Sequence, residues 1–194
     1  MGVRFRVFVA TLCLALVVGL LRGGKLRRLG EAHIRALGAI LLALLLQLGI
    51  SFVLDRWPDV TRIVLSSMFV LSYLMLAIAL YANRRLLGAM WMVAGATLNF
   101  LVIVVNGGRM PVHPWALRLT GQEDFMLYLG GETCPTHFLS GPGTHLWFLG
   151  DVMGIPYIHL KSAFSIGDVF LMVGLFWAVQ RLMVPLRAAR AGEA

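Results

Sequence analysis

The chain contains five long apolar runs, and these runs restrict its fold more than any other feature. They span residues 7–21, 36–54, 63–82, 86–105 and 166–184. The last four approach the roughly 20 residues that a helix needs to cross the hydrocarbon core of a bilayer. Only helices and closed barrels satisfy the backbone in lipid, and these runs lack the alternation of barrel strands. The sequence therefore predicts an all-α integral membrane protein with about five transmembrane helices in one membrane domain.

Composition and charge support this class. Hydrophobic residues make up 59% of the 194 residues and charged residues only 13%, whereas a soluble domain carries about 25% charged residues. The net charge is +8, but the arginines flank the apolar runs, where basic residues set orientation and contact anionic headgroups. No basic stripe is interleaved with aromatic residues. The composition predicts membrane lipids as partners and no nucleic acid.

Basic residues in the short connections predict the orientation. The first run is followed by a strongly basic stretch and not by a cleavage site, so we expect a retained helix. Basic residues favour the cytoplasmic side, although Arg4 and Arg6 favour the opposite orientation. The distribution of basic residues predicts that the N-terminus lies outside and the C-terminus in the cytoplasm. The residues on the predicted cytoplasmic side are Arg22, Lys25, Arg27, Arg28, Arg35, Arg84, Arg85, Arg181, Arg187 and Arg190.

The stretch from residue 106 to residue 165 is then an extracytoplasmic loop between the fourth and fifth helices. It is much longer than the roughly 2–8 residues that usually connect helices in bundles. We expect it to be either functional or a small folded cap. Aromatic residues near the ends of the apolar runs are typical of anchors at the membrane interface: Trp57, Trp115, Tyr128, Trp147 and Tyr157.

Two aspartates of this region, Asp151 and Asp168, are candidate catalytic residues. Asp168 lies three residues after Ser165 at the start of the last apolar run. It fits a cap of that helix, a functional carboxylate at the membrane boundary, or both. Asp151 follows an apolar segment and would be partly desolvated, which suits acid–base chemistry. It also fits a turn or a helix cap beside Gly150. Two adjacent carboxylates that share a proton are the basis of aspartic protease chemistry.

The motif Asn106-Gly107-Gly108-Arg109 directly follows the fourth run. Its glycines permit close approach of a ligand, and its amide and guanidinium groups would lie at the membrane surface. The same motif also fits a helix C-cap before a proline stop. Asn99 lies on the same helix face as Asn106 and could hydrogen-bond a neighbouring helix or extend a polar site inward. The candidate substrate-binding residues are Asn99, Asn106, Gly108, Arg109, His113 and His145.

Cysteine and histidine residues of the loop do not form a metal-binding motif. Cys134 and His137 are suitably spaced, but they supply only half of a zinc site, and there is no HExxH sequence. The remaining loop histidines fit hydrogen-bonded or interfacial positions: His113, His145 and His159. A disulfide between Cys13 and Cys134 has no support, because the two would lie at different depths. The sequence predicts neither a metal nor another cofactor.

Two resemblances rest on these motifs. The run Asn106-Gly107-Gly108-Arg109-Met110-Pro111-Val112, with Ser165-Ile166-Gly167-Asp168 far downstream, resembles an uncharacterised family of bacterial multi-pass membrane proteins with a domain of unknown function. The segment 164–168 is also similar to the one that opens the last helix of lipoprotein signal peptidases, whose two aspartates would correspond to Asp151 and Asp168. Asn106 and Gly108 are similar to the Asn-x-Gly motif of those peptidases. Serine replaces their asparagine at 165, and the two membrane helices that separate this motif from the aspartates in those enzymes have no counterpart here. The first resemblance implies a protein of the bacterial inner membrane.

The leading functional hypothesis is a binding or accessory subunit whose outer loop recognises a lipid, a peptide or a protein. A membrane-protein partner or a second copy of the chain would fit this role. The alternative is an aspartyl hydrolase that uses Asp151 and Asp168, with Asn106 and Arg109 positioning the substrate. A small transporter component is a third hypothesis, although the helices contain few of the buried charges that mark a permeation path.

Overall fold

The structure is a computed structural model that describes residues 3–56, 62–130, 134–156 and 161–184. Each of the five predicted apolar runs forms a helix there. The sequence predictions for Trp57, Tyr157, His159, Arg187 and Arg190 lie outside the described residues. The helices are α1 (Val3–Leu21), α2 (Arg27–Gly30), α3 (Leu37–Arg56), α4 (Arg62–Ala82), α5 (Ala89–Val105), α6 (Pro114–Thr120), α7 (Glu123–Gly130) and α8 (Ile166–Met183); the strands are β1 (Met110–Val112), β2 (His137–Leu139), β3 (Asp151–Ile155) and β4 (Ser162–Ser165).

Two of these helices, α4 and α8, are long and apolar enough to cross a membrane, judged by length and composition. Shorter apolar stretches lie at Arg6–Leu21, Leu37–Ile50 and Ala89–Val105, within α1, α3 and α5. Many of the large apolar side chains on these helices are not covered by protein. Leu14 is 57% exposed and Ile63 is 76% exposed. The helical bundle therefore leaves much of its apolar surface open.

Helices α5 and α8 approach each other closely because two pairs of glycines face each other at different positions along the helices. A Cβ atom on Gly174 would lie 2.5 Å from the carbonyl oxygen of Gly88, and one on Gly167 would lie 2.7 Å from that of Gly95. Real Cβ atoms do not approach other atoms so closely. Small residues that let backbones approach are typical of tightly packed helices in membrane proteins. Gly88 also has φ +90°, a left-handed conformation that favours glycine.

Residues 106–165, which we call the cap, contain a sheet that the prediction of an all-α chain omitted. Its strand order is β2-β1-β3-β4; β1 is parallel to β2 and β3, whereas β4 is antiparallel to β3. The strands have only three to five residues, and all three residues of β1 are buried. The sequence therefore lacked the two-residue alternation that marks a half-buried strand. The helical prediction is confirmed for most of the chain, and the cap adds a small mixed sheet.

The cap has its own apolar core and is tied to the ends of α4 and α5. The buried residues Val112, Leu117, Leu129 and Cys134 pack together between the sheet and helices α6 and α7. At the bundle, Met110 packs into a second cluster that includes residues of α3, α4 and α5. The hydroxyl of Ser66 on α4 donates a 2.7 Å hydrogen bond to the carbonyl of Pro135. These contacts fix the cap against one end of the bundle.

Candidate functional site

A buried network of three polar side chains joins the start of α8 to α5. The amide nitrogen Nδ2 of Asn99 donates to Oδ1 of Asp168 at 2.8 Å, and the hydroxyl of Ser165 donates to Oδ1 of Asn99 at 2.8 Å. The backbone N–H of Ser165 donates to Oδ2 of Asp168 at 3.1 Å. The Ser165 hydroxyl also accepts from the backbone N–H of Asp168 at 3.0 Å.

This geometry confirms the capping interpretation of Ser165 and Asp168. The two residues form a capping box at the start of α8, where a carboxylate also interacts favourably with the helix dipole. Asn99 adds the interhelical hydrogen bond that was one of its two interpretations. Asn99 and Ser165 are 0% exposed and Asp168 is 2% exposed. Buried polar groups are stable only when hydrogen-bonded, and both carboxylate oxygens of Asp168 have a donor.

Asp151 lies beside this network at the first position of β3. Ser165 is its antiparallel register partner. The same serine is therefore the neighbour of Asp151 in the sheet and of Asp168 in the capping box of α8. Asp151 is 1% exposed, and its carbonyl accepts a 2.9 Å hydrogen bond from the N–H of His113. The structure thus brings the two aspartates to one end of the sheet and buries both. A catalytic role for the pair stays a prediction.

The side chain of Asn106 hydrogen-bonds the backbone of another part of the cap. Its Nδ2 donates to the carbonyls of Val102 and His145 at 2.7 and 2.8 Å, and its Oδ1 accepts from the N–H of His145 at 3.1 Å. Gly107 and Gly108 follow with positive φ angles, and Gly108 donates to the Ile103 carbonyl at 2.9 Å. The predicted substrate-binding residue Asn106 therefore ends α5 and fixes the loop at His145.

The other predicted substrate-binding residues lie in different surroundings. His113 caps α6, where its Nδ1 accepts a 3.2 Å hydrogen bond from the N–H of Trp115. The His113 ring also packs against Trp147, with ring centroids 5.6 Å apart. His145 is exposed. Arg109 is half-buried and its guanidinium lies over the ring of Phe138, 5.1 Å from the centroid.

Gly108 and Arg109 line an open groove between the end of α5 and residues 62–74 of α4, which the sequence-based predictions did not include. We call it the α4 groove. The sequence contains one indication of this groove. The α4 residues that line it include residues four positions apart, and such residues lie on one face of a helix. Its lining residues are Arg62, Ile63, Ser66, Ser67, Val70, Leu71, Leu74, Val104, Asn106, Gly107, Gly108 and Arg109.

The cysteines and histidines show no grouping of metal ligands within the described ranges. Cys13 is an exposed free thiol and Cys134 a buried free thiol. The Thr136 hydroxyl lies 3.9 Å from Sγ of Cys134 and 2.8 Å from Nδ1 of His137. This short chain of contacts joins side chains at the beginning of β2 to the core of the cap.

Comparison with known proteins gives a family without an assigned activity. Residues 31–180 match DUF5317, a family of unknown function, and the chain belongs to this family. No curated protein and no solved structure matches it. The match includes α3, α4, α5, most of α8 and the described parts of the cap, and therefore also the Asn99–Ser165–Asp168 network and the α4 groove.

Proposed function

We propose that this member of the DUF5317 family is a five-span protein of the bacterial inner membrane that binds a partner through its cap. Its N-terminus and the cap lie outside the cytoplasm and its C-terminus lies inside. In this proposal the protein is a binding or accessory subunit, and the cap recognises a lipid, a peptide or a protein. Three features support the proposal: the open apolar surface of the helices, the distribution of basic residues, and the exposed aromatic residues of the cap.

The helices support the membrane location. Soluble monomers rarely expose apolar patches larger than a few hundred Å², because apolar surface in water costs about 25 cal/mol per Å². Helices α1, α3, α4 and α5 all carry large exposed apolar side chains. Lipid would cover this surface without a free-energy cost. The basic residues near α2 and between α4 and α5 favour the cytoplasm for that end of the bundle.

The cap supports a binding role, and its exposed aromatic surface is the observation that carries the proposal. A general base or nucleophile must reach its substrate, but Asn99, Ser165 and Asp168 are buried in hydrogen bonds to one another. Aromatic side chains, by contrast, are typical of binding hot spots and of interfacial anchors. The exposed large side chains of the cap include Trp115, Phe125, Leu127, Tyr128, Trp147 and Phe148.

An aspartyl hydrolase is the second candidate function, and the position of Ser165 favours it. This serine is next to Asp151 in the sheet and next to Asp168 in the capping box. A hydrolase would need substrate and water to reach these two buried residues. Unfolding of Asp168 variants is expected to distinguish a structural carboxylate from a catalytic one.

Cysteine labelling in intact cells tests the proposed topology. In a variant without Cys13 and Cys134, we introduce Glu123→Cys in the cap or Lys25→Cys between α1 and α2, because both positions are exposed. A membrane-impermeant maleimide is expected to label Glu123→Cys in intact cells and Lys25→Cys only after permeabilisation. The reverse pattern would overturn the orientation, and recovery of the chain in the soluble fraction would overturn the membrane location.

Photocrosslinking in cells tests the binding role of the cap. A photoreactive phenylalanine analogue replaces Trp147 of the cap, which is 51% exposed, or Trp91 of α5, which is 49% exposed. We expect position 147 to give a discrete adduct that is absent at position 91, since lipid alone would surround the bundle position. Mass analysis of the adduct identifies a lipid, a peptide or a protein. Identical products at the two positions would contradict recognition by the cap.

A further inference from the structure

The α4 groove is polar at one end and apolar along the rest of its length. Arg62, Ser67 and Arg109 lie at or near the polar end, where α4 begins and the turn after α5 passes. Val70, Leu71, Leu74 and Val104 form the apolar part. From Ile63 to Leu74, α4 rises by about 16 Å at 1.5 Å per residue. This length is close to one leaflet, because the hydrocarbon core of a bilayer is about 30 Å thick.

The guanidinium of Arg109 is the strongest indication of what binds at the polar end. It is half-buried against the face of Phe138. Among the described residues, it makes no hydrogen bond or ion pair. A guanidinium has five N–H donors in a planar fork that matches phosphate oxygens. A half-buried cation that lacks such partners is stabilised by an anion that supplies them.

The remaining polar groups of the groove are largely used within the protein. The N–H groups of Gly107 and Gly108 donate to carbonyls at the end of α5, at 3.2 and 2.9 Å, and the Ser66 hydroxyl donates to Pro135. An extended peptide, which would pair its backbone with N–H and C=O groups, would find few partners here. The groove instead offers positive charge at one end and an apolar wall beyond it.

We propose that the α4 groove binds one anionic phospholipid, with its phosphate on Arg109 and an acyl chain along the apolar wall of α4. Arg62 also lines this end of the groove. This proposal rests on the proposed membrane location and deepens it, because it names a ligand and a site that is separate from the exposed aromatic residues of the cap. The amphipathic groove matches a molecule that combines a phosphodiester with a long apolar chain.

The test measures lipid binding to the purified full-length chain in a neutral detergent by native mass spectrometry. The probes are phosphatidylglycerol, phosphatidylcholine with the same acyl chains, and glycerol phosphate. We expect retention of phosphatidylglycerol in preference to phosphatidylcholine, and about tenfold weaker retention in Arg109→Gln. Arg109→Lys should retain part of the preference because it keeps the charge. Arg118→Gln is the matched control, since Arg118 is an exposed arginine of the cap outside the groove.

The apolar part of the groove is tested by Leu74→Gln, which should weaken phosphatidylglycerol retention while leaving glycerol phosphate unaffected. Equal retention of the two lipids, or an unchanged preference in Arg109→Gln, would overturn the proposal. Displacement of the lipid by equimolar glycerol phosphate would also overturn it, because the site would then bind a free phosphate ester. Binding in detergent does not depend on topology. A failed labelling experiment would therefore contradict the proposed topology, and a failed lipid experiment would contradict the proposed lipid site.

Discussion

Replacing Gly167 by alanine is expected to lower the free energy of unfolding by roughly 2–4 kcal/mol. A methyl group at this position would lie 2.7 Å from the Gly95 carbonyl oxygen and 2.6 Å from Cγ of Asn99. The backbone oxygen cannot move without separating α5 from α8. The carboxamide of Asn99 would have to turn away and leave its hydrogen bonds to Ser165 and Asp168. Thermal unfolding of the purified protein in detergent measures this loss.

Gly49→Ala in α3 is the matched control, because it makes the same chemical change in the middle of a helix. Apart from its chain neighbours and the backbone of its own helix, no atom of the described residues lies within 4 Å of a Cβ built at Gly49. Alanine favours the helical conformation over glycine by about 1 kcal/mol, so this variant should unfold at the same temperature as the wild type or slightly above it. If Gly167→Ala and Gly49→Ala unfolded alike, the close approach of α5 and α8 would be wrong.

The glycine contacts and the polar network depend on each other. Asn99 has a short side chain, and it reaches Asp168 only because glycines bring the two helices together at Gly95 and Gly167. The same close approach places Ser165 within hydrogen-bond distance of Asn99. This network therefore fixes the rotation of α8 relative to α5 and the position of β4, which ends at Ser165. The link from bundle to sheet runs through these three side chains.

Local patterns in the sequence were sufficient to predict the helices and the residue at which α8 begins. The five apolar runs match helices because their length and composition depend only on neighbouring residues. The capping box was predictable because Ser165 and Asp168 are three positions apart. Asn99 is 69 positions from Asp168, and no single sequence pattern assigns that partner among the polar residues of the chain. The opposing pairs Gly88–Gly174 and Gly95–Gly167 were missed for the same reason.

The cap and the α4 groove were less predictable, for different physical reasons. The fully buried β1 has no polar alternation, and its partner β2 lies beyond two short helices. Of the predicted substrate-binding residues, Asn106, Gly108 and Arg109 line one groove, and Asn106 is hydrogen-bonded to His145. Asn99 instead bonds Asp168, and His113 caps α6, because their partners lie on other elements of the fold. Arg109 was one of these predicted residues, and its role in binding stays a prediction. Its neighbours on α4 could be found only once the two helices were placed side by side.

Removing the carboxylate of Asp168 is expected to have the largest effect on stability. In Asp168→Ala, the amide of Asn99 and the N–H of Ser165 lose their acceptors inside the protein. Each unsatisfied buried donor costs about 1–3 kcal/mol, so the free energy of unfolding should fall by roughly 2–6 kcal/mol. Asp168→Asn keeps the size and one acceptor oxygen, and its loss should be about half as large. Thermal unfolding in detergent separates the two variants.

Asp124→Ala is the control, because Asp124 is also an acidic residue in the first turn of a helix but is exposed. Its effect should be within about 1 kcal/mol, as for other surface positions near a helix N-terminus. The double variant Asn99→Ala with Asp168→Ala adds a further measurement. Residues in one hydrogen-bond network show interaction energies of about 0.5–3 kcal/mol, so the second substitution should cost less once the first has been made.

The same experiment separates a structural Asp168 from a catalytic one. A catalytic carboxylate acts on the substrate, and replacing it by asparagine can leave the fold as stable as before. If Asp168→Asn and Asp168→Ala both unfolded like the wild type, the network would not stabilise the start of α8, and the hydrolase candidate would gain support. A graded loss from Asn to Ala, with coupling to Asn99, would instead mean that this buried carboxylate joins α5, β4 and α8. The surfaces open to a partner would then be the cap and the α4 groove.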